Sequence, residues 1–285
     1  MEYNDTSIYN IIDFLNWISD VHSVTNIRNN GEKTVSQRLK IYYRGQAQKE
    51  WLLTPGIYRK DNYNEYELLR KSTCRIWSEV SKYNSYLDKL IFLQHYGLVT
   101  RLLDVTFNPL VALYFACCEV KDKEGNNIDG AVYCGYQYEK ENNYVAELTC
   151  EFVFKTPLKW IDTNVLLFIK DKNVSIEQFA EPLFILPVLN NPRIEQQNGA
   201  FIMAPLLKNV EKQMLSNAWK DIGESSFFEK RRAIVHCSNK VEILKKLSEL
   251  GIDAGTIYQD VTKKLKTIVL EEEWKIDREE QIAFE

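Results

Sequence analysis

The apolar positions change period several times along the chain, and the changes divide it into elements. Ile8, Ile11, Ile12, Leu15 and Ile18 recur at helical spacing behind Thr6 and Ser7, which suit an N-cap. A polar loop is expected from Thr25 to Gln37. Leu39 to Tyr43 then reads as a buried strand that ends in Arg44-Gly45. Tyr66, Leu69, Thr73, Ile76 and Val80 mark a second helix, and Tyr86 to His95 a third that is apolar on most sides. Asn108-Pro109 opens a further helix, to about Glu119: Asn caps well, and Pro at the first helical position loses only an orphan N–H.

Beyond a charged loop from Lys121 to Asp129, Ala131 to Tyr136 and Tyr144 to Phe154 read as strands, as does Leu183 to Leu189. Asn190 to Asn198 is polar, and Gly199 to Ala204 is apolar again. Ala233 to Cys237 reads as a strand. Asn239 then starts a helix, with Glu242 as its capping-box partner and Gly251 as its stop. Val261 to Trp274 is expected to be the last helix. Strands and helices interleave without regular βαβ alternation, which argues against a doubly wound sheet. The expectation is a single α+β domain with a central mixed or antiparallel sheet, a helical N-terminal part and C-terminal helices. Its divisions are an N-terminal helix and loop over 1–35, the domain proper over 36–270 and an acidic tail over 271–285.

Composition narrows the classes. Hydrophobic residues make up 45% of the 285, enough for a sizeable core, and the net charge of -4 gives no electrostatic case for non-specific nucleic-acid binding. The N-terminus lacks the apolar stretch of a signal peptide, and the longest apolar run falls well short of the ~18 residues of a membrane span. None of the six cysteines sits in a Cys-x-x-Cys pair, so reduced thiols and a cytoplasmic location are expected. Cys117-Cys118 is poor ligand geometry and is assigned to packing. The three histidines do not cluster, so no metal site is expected. No phosphate-loop, Gly-x-Ser-x-Gly or His-Glu-x-x-His motif is found.

Polar chemistry concentrates in three segments. Arg44, at the end of an apolar strand, is costly to bury without a partner; beside Gly45 it suits a phosphate or carboxylate, or else an internal pair with Asp104. The stretch from Gln94 to Asn108 packs Gln94, His95, Tyr96, Thr100, Arg101, Asp104 and Thr106 between apolar flanks and ends at a helix N-terminus, where free N–H groups favour anions. The alternative is structural, with Asp104 and Thr106 capping the helix and Arg101 paired to Asp104. In the third segment, Asn191 to Phe201, Glu195 and Gln197 would share a face if it is a strand; a polar hairpin connection is the other reading.

Three blocks together resemble the FRG domain family, named for a Phe-Arg-Gly motif. They are Tyr43-Arg44-Gly45, Gln94-His95-Tyr96-Gly97 running into Thr100-Arg101-Leu102-Leu103-Asp104, and Leu113-Tyr114-Phe115-Ala116. Arg193-Ile194 with Gln197-x-Gly199-x-Phe201, and Leu250 to Asp260, resemble its later motifs, so the likeness spans roughly Ser36 to Ile268. Tyr43 replaces the usual Phe, and Val99 stands where the family often has Pro. The resemblance implies a bacterial phage-defence or toxin-like effector with a nucleotide-type pocket. The motif order is also similar to that of NAD-dependent ADP-ribosyltransferases. That likeness implies catalytic roles for Arg44, Glu195 and Gln197. It also implies a ligand-binding set of Tyr43, Gly45, Gln94, His95, Tyr96, Thr100, Arg101, Asp104 and Thr106. NAD would be the substrate, with no metal and no membrane, and a protein or nucleic acid would be the target. Glu195-x-Gln197 reverses the order expected of a Glu/Gln-x-Glu motif, and the alternative is a binding module that senses a ligand or phage component without turnover.

Overall fold

A computed structural model describes residues 3–31, 39–60, 63–138, 143–157, 165, 167–187, 195–209, 214–215, 222 and 227–258. The chain begins with strand β1 (Asn4–Ile8), helix α1 (Ile11–Gly31) and strand β2 (Leu39–Gln46). Helices α2 (Glu65–Arg75), α3 (Trp77–Val80) and α4 (Tyr86–His95) follow. Next come strand β3 (Leu102–Thr106), helix α5 (Pro109–Cys117), strand β4 (Gly130–Tyr138) and helix α6 (Asn143–Lys155). The later strands are β5 (Leu183–Ile185), β6 (Gly199–Met203), β7 (Leu207–Asn209), β8 (Met214–Leu215) and β9 (Arg231–Val235); helices α7 (Lys240–Glu249) and α8 (Ala254–Tyr258) come last.

Seven strands form one sheet in the order β1-β9-β4-β2-β3-β6-β5, while β7 and β8 pair apart. Only β1 and β9 run parallel; the other pairs of the large sheet are antiparallel. The architecture is therefore the α+β single sheet expected. Along β2 the side chains alternate between faces. Tyr42 packs on Phe184 and Phe228, whereas Tyr43 faces Trp17 of α1. Ile8, Phe14, Trp17, Val132, Val235 and Leu247 fill the core on the Tyr43 face. Helices α2, α4 and α6 build another core with Phe201 and Met203 of β6.

Several expectations are corrected. Thr6 and Ser7 lie in β1, and α1 is capped instead by Asn10, whose Oδ1 accepts from the N–H groups of Ile12 and Asp13. The helix then runs to Gly31, through part of the expected polar loop. The second helix breaks at Ile76. Tyr144 to Phe154 is helical, not extended: Val145, Ala146, Leu148, Thr149, Cys150, Phe152 and Val153 are buried, and only Glu147 and Glu151, one turn apart, interrupt that apolar surface. A helix buried on most sides has lost the polar face that identifies it in sequence. Asn239 has helical backbone and makes no side-chain cap, so the capping box with Glu242 does not form; Gly251, at φ 77°, does end the helix. The expected helix from Val261 to Trp274 and the tail lie outside the described residues.

Helix α4 carries one wall of the site, and its start is fixed from another element. The Glu147 carboxylate of α6 accepts from Ser85 Oγ and from the backbone N–H groups of Tyr86 and Leu87, at 2.6–2.8 Å. A carboxylate there also faces the positive end of the helix dipole. Glu147→Ala is expected to cost about 1–2 kcal/mol, the range for a lost cap, as measured by urea unfolding. A change below about 0.3 kcal/mol would show that the cap does not anchor α4.

Candidate functional site

Strands β2 and β3 share one register pair, Tyr43 with Thr106, and their ladder stops there. A cavity of about 320 Å³ lies against this point, walled by β2, β3 and β6, by Ile91, Gln94 and His95 of α4, and by Val111 and Phe115 of α5. The Arg44 guanidinium bridges the two strands. Its Nη1 donates to the backbone carbonyl of Asp104 at 2.6 Å, not to the carboxylate, and its buried Nε has no partner. Burial lowers its pKa to about 10; Asp104 opposes that shift and Arg59 adds to it. Arg44 therefore remains a cation at neutral pH, held beside a second one.

Arg59 also lines the cavity and was not anticipated from the sequence. It ends a 3-10 turn, Gly56–Tyr58, that is too short for any period to mark it. Its Nε donates to the carbonyl of Thr54 at 3.0 Å, which leaves the two terminal nitrogens for other partners. Among the described residues neither Arg44 nor Arg59 forms an ion pair.

Asp104 is the exposed position of an otherwise buried strand. A directed chain of hydrogen bonds reaches it. The Leu102 N–H donates to Thr100 Oγ1 at 3.1 Å, Thr100 Oγ1 donates to Gln94 Oε1, and Gln94 Nε2 donates to Asp104 Oδ1 at 2.9 Å. Thr106 Oγ1 donates to the carbonyl of Gln197 at 2.5 Å and accepts from Asn108 N–H at 3.0 Å. Asn108 caps α5 through Leu110 N–H.

The remaining anticipated residues divide. Tyr43, Gly45, His95, Thr106 and Gln197 reach the cavity wall with Arg44, Gln94 and Asp104. Tyr43 is nonetheless almost wholly buried, with its hydroxyl 3.1 Å from His22 Nε2. Gly45 is needed by the fold: a Cβ there would stand 1.8 Å from the Ala112 carbonyl oxygen. Gln197 Nε2 donates to the carbonyl of Ile257 in α8 at 3.1 Å.

Four anticipated residues do not line the cavity. Thr100 is buried behind it and acts on Gln94. Arg101 is buried in an ion pair with Glu65 of α2, not with Asp104. Tyr96, 70% exposed, packs at a tilt against Phe92. Glu195 is exposed and helical, because β6 starts only at Gly199 and a turn with Asn198 at φ 45° intervenes. Of the two readings of this segment, the strand that would put Glu195 and Gln197 on one face does not form, and Arg193 and Ile194 lie outside the described residues.

Among the described residues no group of three or more His, Cys, Asp or Glu side chains is placed to hold a metal ion, and no helix is long and apolar enough to cross a membrane. All six cysteines are free. No curated protein and no solved structure matches the chain. A family match does exist, over residues 39–125, and it spans β2 to α5 and hence most of the cavity wall, stopping short of β6. The matching model is that of the FRG domain.

Proposed function

We propose that the cavity binds a phosphorylated small molecule of nucleotide type, with Arg44 and Arg59 gripping its phosphate. The observation that carries this is two guanidinium groups on one cavity, neither of them in an ion pair with a carboxylate among the described residues, although the Asp104 carboxylate lines the same cavity. Like charges brought together and desolvated are unfavourable until an anion bridges them, and a planar guanidinium matches a phosphate with two parallel N–H donors. At about 320 Å³ the cavity is near the lower bound of small-molecule sites, so NAD would enter by one nucleotide half. Of the effector and sensor roles that the family resemblance implies, the sensor is better supported. The recognition groups converge, whereas Glu195, the carboxylate assigned to transfer chemistry, is outside the cavity. We place this role in the cytoplasm, where six free cysteines stay reduced.

The test is calorimetry with pyrophosphate, ADP and NAD on the wild type and on Arg59→Ala, with nicotinamide release followed in the NAD samples. Arg59→Ala is expected to weaken binding roughly tenfold to a hundredfold, the range for a hydrogen bond to a charged group. Absence of binding by all three at millimolar concentration would overturn the proposal. Steady nicotinamide release would replace the sensor reading with a transferase.

A further inference from the structure

Resting on that phosphate reading, we infer that the ligand is a phosphorylated sugar, free or within a nucleotide, whose hydroxyls donate to Asp104. The bonds that converge on Asp104 have a fixed direction. An ionised carboxylate only accepts, so Asp104 Oδ1 takes the Gln94 amide N–H, and the Thr100 hydroxyl, which accepts from the Leu102 N–H, donates to Gln94 Oε1. The flipped Gln94 amide would set its oxygen against a carboxylate oxygen. Asp104 is thus held as an acceptor, and its Oδ2 has no hydrogen-bond partner among the described residues.

Asp104 also joins the two halves of the site. Its backbone carbonyl holds Arg44 and its carboxylate lines the cavity, so cation and acceptor sit at a spacing set by one residue. A bare phosphate meets the arginines but is repelled by Asp104. A phosphate carrying neighbouring hydroxyls satisfies both, since hydroxyls donate to a carboxylate and an anion cannot. Charge alone would rank pyrophosphate above ribose 5-phosphate; this arrangement reverses the order. Thr100, which touches no ligand, is a positioning residue: its hydroxyl donates to Gln94 Oε1 and steadies the amide whose N–H faces Asp104.

The experiment compares ribose 5-phosphate, ADP, 2′,3′-dideoxy-ADP and pyrophosphate on the wild type, Asp104→Asn, Thr100→Val and Thr100→Ser. The wild type should prefer ADP over the dideoxy analogue by roughly tenfold or more, as a site built to bond a hydroxyl rejects its absence. Asp104→Asn offers an amide N–H where Oδ2 was, so the preference should vanish while pyrophosphate binds at least as well. Thr100→Val should lower the preference without changing pyrophosphate affinity, and Thr100→Ser should restore it. Ribose 5-phosphate binding as tightly as ADP identifies a free sugar phosphate; ADP alone binding tightly identifies a nucleotide. Equal wild-type affinity for ADP and its dideoxy analogue would overturn the inference and leave the phosphate reading standing. Failure of every phosphorylated compound to bind would overturn both.

Discussion

Glu65→Ala is expected to remove about 3–5 kcal/mol of folding stability, because it strands a buried charge. Both side chains of the Glu65–Arg101 pair are almost fully enclosed, at 7% and 4% exposure, and the contact is bidentate, with Nε to Oε1 at 2.9 Å and Nη2 to Oε2 at 2.5 Å. Burial opposes charge on Arg101, yet the attraction of Glu65 outweighs it and holds the guanidinium above its usual range. Without Glu65 that guanidinium keeps only weak contacts to the carbonyls of Ala204 and Pro205, at 3.4 and 3.5 Å. Urea unfolding of Glu65→Ala, Arg101→Met and the Glu65→Leu/Arg101→Met double variant would measure this. The double variant should be more stable than Glu65→Ala, since apolar residues can replace a buried pair at little cost. A loss under 1 kcal/mol in Glu65→Ala would mean that the pair is hydrated, contrary to its burial. The pair ties α2 to the start of β3 and the end of β6, so the arginine of the Thr100-Arg101-Leu102-Leu103-Asp104 motif serves the frame while its aspartate serves the cavity.

Gly45→Ala should be comparably damaging, and for a reason visible only in three dimensions. The added Cβ would stand 1.8 Å from the carbonyl oxygen of Ala112, 2.8 Å from its carbonyl carbon and 2.9 Å from the backbone nitrogen of Ala116. Overpacking a core by a methyl group costs about 1–3 kcal/mol when side chains can yield; here the obstacle is helix backbone, so a loss above that range is expected. Gly130 on the neighbouring strand is under the same helix, its Cβ position 2.0 Å from the Ala116 oxygen. Helix α5 thus rests directly on two glycines. Because α5 also supplies Val111 and Phe115 to the cavity, any surviving Gly45→Ala protein should bind phosphate more weakly. An unchanged melting temperature would show that α5 can lift freely from the sheet.

Local chemistry made part of this legible from residues alone. Asn108-Pro109 marked the start of α5 because cap and first helical residue are adjacent in sequence, and the apolar run before Arg44 marked β2. Strand β3 escaped notice because Leu102, Leu103, Val105 and Thr106 are buried on both faces, which erases the alternation of a half-exposed strand. Helix α6 was mistaken for a strand for the matching reason. Within the site, the residues sharing a strand or helix with Arg44, Gln94 or Asp104 were recognised together. Arg59 was not: it ends a short 3-10 turn, Gly56–Tyr58, and its side chain is aimed by the Thr54 carbonyl. The two-residue spacing of Glu195 and Gln197 fitted a strand and a hairpin connection equally, and the spacing carries no sign of the turn that stands there.

The pairing of β1 with β9 also sets a clock on the molecule's own making. Asn4 pairs with Arg231, and the bidentate contact of Asp5 with Arg232 spans 227 positions of sequence. At roughly 5–20 residues per second of synthesis, β1 leaves the ribosome on the order of ten to forty-five seconds before its partner exists. Within that interval there is a stretch, after α5 and before β6, when β2, β3 and α5 are made while β6, the far wall of the cavity, and β9, the strand between β1 and β4, are still to come. A nascent chain in that window offers unpaired strand edges to any neighbour.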